Sequence, residues 1–137
     1  MHVTRLAVFC LVIHFLAVNM TSAQEKTAWP DEAECRENPP TEELVRGWCI
    51  AIDRDKGNCL ACHTLNIKPW PATLPLAGNI APPLVAMAPR FPDTEALREQ
   101  IADAPAFNPN TTMPPYQKHG LLTEAEIDRI LQFILSL

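Results

Sequence analysis

The feature that most constrains this chain is a five-residue motif at positions 59–63, which reads CLACH. Two thiols separated by two residues can each add to a vinyl group of one haem, and the following histidine can ligate its iron. The same cysteines would suit half of a zinc knuckle or a redox-active dithiol. Those alternatives need a second cysteine pair at knuckle spacing or a βαβ pattern, and the sequence has neither. The motif therefore predicts one haem c attached to Cys59 and Cys62, with His63 as an axial ligand.

Residues 1–23 have the pattern of an export signal. An apolar run from Leu6 to Val18 follows Arg5, and small residues precede the expected cleavage point at Ala23. An uncleaved anchor is the alternative, but this run of 13 residues is interrupted by His14 and is short for a membrane-spanning helix. We therefore expect cleavage near Ala23, a periplasmic location and no stable membrane anchor.

Export changes the cysteine count in an informative way. Cleavage removes Cys10, and the motif uses two of the four cysteines that remain. The other two are Cys35 and Cys49. In an oxidising compartment an even remainder predicts a disulfide, whereas the alternative is a pair of buried free thiols.

Negative charge dominates the chain. The formal net charge of −5 becomes −6 once Arg5 leaves with the signal, which disfavours nucleic-acid binding. Seven of the 16 acidic residues lie close together near the mature N-terminus: Glu25, Asp31, Glu32, Glu34, Glu37, Glu42 and Glu43. Such a cluster is usually a solvated segment, although it would also steer a basic partner protein.

Residues 24–40 show no periodicity and contain three prolines, so we expect an extended arm that is tied down by Cys35. The following domain, 41–137, should begin with a helix that is capped by Thr41 and ended by Gly57. Its apolar residues recur at helical spacing: Leu44, Val45, Trp48, Cys49 and Ile52.

Two further helices are predicted after residue 92. Asp93 or Thr94 should start the first, with Pro105 as its stop. Thr123 and Glu126 form a capping box at the start of the last helix. Its predicted buried face consists of Ile127, Ile130, Leu131, Ile134 and Leu135. Since no strand pattern competes, we expect an all-α domain with long loops.

Between the first two helices lies a proline-rich loop, with seven prolines from Pro69 to Pro92 that exclude a long helix or a central strand. Long loops in small domains are usually functional, and here the loop could wrap the edges of a haem. Seven of its apolar residues could line the pocket: Trp70, Leu74, Leu76, Ile80, Leu84, Val85 and Met87. We expect the Pro82 carbonyl to accept a hydrogen bond from the second ring nitrogen of His63.

The second axial position decides the class of function. Four residues of the mature chain could fill it: Met113, His119, Met87 and Lys118. Met113 is the preferred candidate because Pro114 and Pro115 stiffen the loop that would hold a weak thioether ligand at the iron. With that position filled, the iron passes electrons. With it open, the protein would instead be a haem enzyme or a gas sensor.

Taken together, the CLACH motif, the turn MPPY at 113–116 and the C-terminal helix resemble a class I cytochrome c. A closer resemblance, to the SoxX family of monohaem cytochromes, covers about residues 41–137. It rests on the order of five segments: KGNCLACH at 56–63, GNIAPPL at 78–84, RFPD at 90–93, the run from Asn108 to Tyr116, and LLT at 121–123.

The resemblance implies a class I cytochrome c fold around one covalently bound haem c, ligated by His63 and Met113. It also implies a partner, the larger SoxA-type cytochrome, in a heterodimer that oxidatively joins thiosulfate to a cysteine of a carrier protein. In that L-cysteine S-thiosulfotransferase complex this chain would be the non-catalytic subunit, which passes electrons to a soluble cytochrome. The alternative with the same haem features is a freestanding diffusible electron carrier.

Overall fold

The computed structural model describes residues 29–137. The predicted signal peptide, 1–23, and the first residues of the predicted arm lie outside the described residues. Six α-helices and one 3₁₀ turn follow in chain order: α1 (Glu32–Glu37), α2 (Glu43–Ile52), the turn Cys59–Ala61, α3 (Met87–Arg90), α4 (Thr94–Ala102), α5 (Ala104–Phe107) and α6 (Glu124–Leu135).

The helices agree with the all-α prediction. Within residues 29–137 the only strand-like pairing is an isolated bridge between Leu65 and Leu84, so the domain is helical with long loops. None of the described helices has both the length and the apolar character needed to cross a bilayer.

The first and last long helices, α2 and α6, pack closely because of a glycine. A Cβ placed on Gly47 would lie 2.1 Å from the carbonyl oxygen of Arg129 and 2.9 Å from the Cβ of Phe133. No side chain fits at these distances, so the backbones of α2 and α6 come into contact at Gly47, where α2 has no side chain. The crossing fixes the direction in which α2 delivers the chain to the CLACH motif.

Large aromatic side chains fill the core beside this crossing. Trp48 and Phe133 are completely buried, and their ring centroids lie 5.6 Å apart. Trp29 packs at 5.6 Å from each of them, and the indole nitrogen of Trp48 donates to the Pro30 carbonyl at 2.7 Å. Trp29 and Pro30 thus anchor the start of the described chain against the core.

The prediction for α6 is confirmed. Thr123 and Glu126 form the reciprocal capping box, and four of the five predicted core residues are buried, with Leu135 half-buried. Phe133 was missed because it lies beside the expected stripe. Phe133 is buried because α2 packs against the side of α6 on which Phe133 lies.

Three predicted boundaries were wrong. The α2 helix ends at Ile52, before the predicted stop at Gly57. The α2 cap position is occupied by Glu42 rather than Thr41, and it makes no side-chain capping bond. Instead of stopping α4, Pro105 sits in the first turn of α5, where its missing N–H is not needed. The α4 helix ends at Ala102, and its start is capped by Asp93, as predicted.

The prediction of an extended arm over residues 24–40 was also partly wrong, because residues 32–37 form α1. Asp31 and Glu34 make a capping box that the sequence analysis overlooked, and Arg36 pairs with Glu32 at 2.7 Å. The predicted disulfide between Cys35 and Cys49 is present, with the two Cα atoms 5.6 Å apart. It fastens α1, which has no buried residue of its own, to the side of α2.

Candidate functional site

The CLACH motif is held in a tight turn directly after α2. Asn58 takes a left-handed backbone conformation, with φ at 45°, which turns the chain out of the preceding loop. The 3₁₀ turn then closes with bonds from the amides of Cys62 and His63 to the Cys59 carbonyl, at 3.2 and 2.9 Å. Cys59 and Cys62 are both free thiols. The motif therefore presents two thiols and an imidazole from one short, folded segment.

The imidazole of His63 is oriented by the proline-rich loop. Its Nδ1 lies 2.7 Å from the Pro82 carbonyl oxygen, the bond expected from the sequence. A carbonyl only accepts, so Nδ1 carries the proton and Nε2 is left with a lone pair. This arrangement fixes the ring and makes Nε2 the nitrogen that can ligate a metal.

The proline-rich loop contacts the motif closely at Gly78, which has no side chain. A Cβ placed on Gly78 would lie 2.2 Å from the Ala61 carbonyl oxygen and 3.1 Å from the Cα of Cys62. The Gly78 amide donates to the Leu60 carbonyl at 2.8 Å, and the hydroxyl of Thr64 donates to the Gly78 carbonyl at 2.9 Å. Loop and motif are thus one unit. This role of Gly78 has no signal in the sequence, because it depends on the distant residues Ala61 and Cys62.

The loop residues predicted to line a pocket divide into two groups. Leu84 and Met87 are buried in the core, and Trp70 and Leu74 are half-buried against it. The other three are exposed: Leu76 at 92%, Ile80 at 78% and Val85 at 37%. Leu76 and Ile80 flank Gly78, so they lie on the outer surface beside the motif.

A buried hydrogen bond joins the Met113 segment to the motif. The hydroxyl of Tyr116 donates to the Gly57 carbonyl at 2.5 Å, between residues 59 positions apart in sequence. Met113, three residues before this tyrosine, is half-buried, and it packs against the same apolar core as Cys59. The bond therefore ties the segment that carries the predicted thioether ligand to the turn before the motif.

The other candidates for the second axial position are less well placed. His119 and Lys118 are exposed on the turn before α6. Met87 is 2% exposed, and its sulfur lies 3.4 Å from Nη1 of Arg90. Met87 is thus a core side chain, in agreement with the sequence interpretation.

The electrostatic surroundings of the motif favour neutral groups. Burial raises the pKa of the Cys59 thiol to about 12, and burial also raises the pKa of the Tyr116 hydroxyl above its ordinary range. Among residues 29–137, moreover, no three His, Cys, Asp or Glu side chains converge on a cation site, so the zinc interpretation finds no ligand set.

The side chains present fit a haem c. They supply two thiols outside any disulfide, an imidazole whose Nδ1 is bonded to a carbonyl and a thioether on a segment that the Tyr116 bond joins to Gly57. Bound there, a haem would supply an iron that cycles between ferric and ferrous states and so carries one electron at a time.

Comparison with known proteins agrees with this fit. The model of the family described as Cytochrome c matches residues 54–137, which include the motif, the loop, the Met113 segment and α6. No curated protein matches the chain. Members of that family bind haem c covalently and transfer electrons. Since the matched region is more than half of the chain, the chain belongs to the cytochrome c family.

Proposed function

We propose that this cytochrome c is the monohaem electron-transfer subunit of a SoxAX-type complex. In this proposal it resides in the periplasm after cleavage near Ala23. It takes electrons released when its larger partner joins thiosulfate to a carrier-protein cysteine, and it passes them to a soluble cytochrome. The order of the five sequence segments that resemble SoxX supports the assignment to this family.

In this account Cys59 and Cys62 would hold the haem through thioether bonds, and His63 and Met113 would ligate its iron. The bond between His63 and Pro82 supports the first ligand because it leaves Nε2 free. The bond between Tyr116 and Gly57 supports the second because it anchors the methionine segment next to the motif. Held by an imidazole and a thioether, the iron would carry electrons and would not bind a substrate.

One observation favours a subunit over a freestanding carrier. Leu76 and Ile80 expose 92% and 78% of their surface, and both flank the glycine that contacts Ala61 and Cys62. Large apolar side chains at the surface are candidates to contact another protein. We name this pair the apolar rim of the motif. In a heterodimer it would lie at the subunit interface, close to where electrons enter.

Purification of the native protein from periplasm tests the proposal. We expect it to elute with a larger haem-bearing subunit, and we expect thiosulfate to reduce its haem only when that subunit and the carrier protein are present. Elution as a stable monomer, with no larger haem protein bound, would favour the diffusible carrier.

A pair of surface variants tests the role of the apolar rim. Leu76→Ser combined with Ile80→Ser should release the larger subunit. The matched control, Leu121→Ser with Phe107→Ser, removes two other exposed apolar side chains and should leave the complex intact. Equal behaviour of the two double variants would show that the rim is not the interface.

A further inference from the structure

The most specific contact of the proline-rich loop outside the motif is made by Arg90. This residue ends α3, and its Nη1 lies 3.0 Å from the Pro83 carbonyl oxygen and 3.2 Å from that of Val85. The same nitrogen lies 3.4 Å from the Met87 sulfur, and the guanidinium carbon stands 5.8 Å from the centroid of the Phe91 ring. Among the described residues no carboxylate forms a salt bridge with Arg90. Its hydrogen bonds go to the loop instead.

The loop needs such a donor because of its two consecutive prolines. Neither Pro82 nor Pro83 has an N–H, so the segment that carries the acceptor for His63 cannot anchor itself through its own amides. The residues next to them are held by bonds from the Ala81 amide to the Cys62 carbonyl at 3.1 Å and from the Leu84 amide to the Thr64 carbonyl at 2.8 Å. The Pro83 carbonyl itself accepts a hydrogen bond from Arg90.

We propose that Arg90 is a positioning residue for the axial imidazole: it clamps the Pro83 and Val85 carbonyls and thereby holds the adjoining Pro82 carbonyl at hydrogen-bond distance from Nδ1 of His63. The inference rests on the proposed ligation of haem iron by His63. Both carbonyl bonds come from Nη1, whose two N–H directions are fixed by the planar guanidinium, whereas a lysine ammonium on a flexible stem has no fixed direction. Bonds from a charged donor are also stronger than those between neutral groups.

The consequence concerns the basicity of the ligand. A firm hydrogen bond from Nδ1–H to a carbonyl raises the basicity of Nε2, which favours the ferric state. If the Pro82 carbonyl moves away, the imidazole becomes less basic and the reduction potential rises. Loss of the positive charge on Arg90 would act in the opposite direction, so the two effects must be separated by the choice of variant.

Arg90→Lys keeps the charge but replaces the rigidly held Nη1 with a mobile ammonium, so it isolates the geometry. In the reduced holoprotein we expect the Nδ1 proton of His63 to exchange with solvent about tenfold faster, the factor that corresponds to weakening of one charge-assisted hydrogen bond. The reduction potential should move upward. Arg90→Gln should also speed the exchange, and Arg46→Gln, which removes an arginine paired at the surface with Glu43, should leave the exchange unchanged.

Unchanged proton exchange and potential in Arg90→Lys would overturn the proposal. A variant that folds poorly is recognised by its denaturation midpoint, and Arg90→Lys and Arg90→Gln give two independent chances of a folded protein. Failure of the underlying ligation looks different, because the wild-type protein itself would then lack the NMR and optical signature of a histidine-bound haem. A purely structural role would lower the midpoint while the exchange of the Nδ1 proton in the native state stayed unchanged.

Discussion

The helical frame of α2 and α6 and the proline-rich loop of residues 64–86 hold their places by different means. In the frame, regular helices pack along apolar faces around the fully buried Trp48 and Phe133. The loop has no regular repeat, and a few individual contacts position it, chiefly those of Gly78, Pro82 and Arg90. Damage to the frame should therefore cost stability, whereas damage to the loop should change the chemistry of the site more than the stability of the fold.

The same difference explains why the loop, and not the helical frame, sets the chemistry of the site. Packing of many atoms tolerates small displacements, but a ligand is oriented by one hydrogen bond, and its properties change when that bond lengthens. The Met113 segment lies between the two cases, because a single buried tyrosine joins it to the turn before Cys59.

The largest effect on stability is expected at the helix crossing. Gly47→Ala would place a methyl group 2.1 Å from the Arg129 carbonyl oxygen, so the helices must separate. We expect the free energy of unfolding to fall by about 3 kcal/mol, a large value for overpacking in a core. Chemical denaturation monitored by tryptophan fluorescence measures it. If Gly47→Ala is as stable as wild type, the close crossing is not what organises the frame.

Gly120 provides the matched control. Its φ of +65° favours glycine, but a Cβ placed there would meet nothing within 4 Å. Gly120→Ala should therefore cost only the backbone strain, about 1 kcal/mol.

Removal of the disulfide should have the next largest effect. The bond closes a loop across 14 residues and holds α1, which buries none of its own residues. Cys35→Ser combined with Cys49→Ser should lower the free energy of unfolding by about 2 kcal/mol, at the low end for a bridge of this kind. The optical spectrum should not change. A spectral change on denaturant-free reduction of the bond would mean that the arm reaches the site.

A smaller effect is expected for Tyr116→Phe, which removes the buried bond to the Gly57 carbonyl. The free energy of unfolding at neutral pH should fall by about 1–2 kcal/mol, because a buried carbonyl is left without its donor. Denaturation of wild type and variant at pH 7 measures this loss.

The same substitution has a pH signature with a defined sign. Burial raises the pKa of the folded Tyr116 hydroxyl above the ordinary value of about 10. Folded protein therefore retains this proton where the unfolded chain loses it, so the stabilisation is complete below pH about 10 and is lost as the pH rises further. Tyr116→Phe should flatten that alkaline decline. An identical alkaline decline in both proteins would exclude Tyr116 as its source.

Spacing in the sequence was enough to predict the frame and the motif. The capping box of Thr123 and Glu126, the stripe of α6 and the CLACH spacing are local patterns, and each has one strong structural meaning. The disulfide followed from parity once the motif had used two cysteines. The Pro82 acceptor followed from the need of a ligating imidazole for a carbonyl.

What could not be predicted depends on contacts between distant segments. Gly47 is an ordinary glycine in a helix until α6 crosses it, and Gly78 is an ordinary loop residue until it meets Ala61. Thr41 looked like a better cap than Glu42, but capping propensity is weak when packing against α6 decides where α2 begins. Arg90 shows no pattern in sequence, because its partners are main-chain carbonyls.

The most direct test of the central claim, that His63 and Met113 together fill the axial positions of an electron-transferring haem, is a matched pair of methionine variants. Met113→Leu and Met87→Leu conserve volume, so both should fold with little loss of stability. We predict that Met113→Leu loses the methionine-to-iron charge-transfer band of the oxidised protein, binds carbon monoxide when reduced and has a lower reduction potential, while Met87→Leu keeps the wild-type spectrum. An unchanged spectrum in Met113→Leu, or loss of the band in Met87→Leu, would contradict the account.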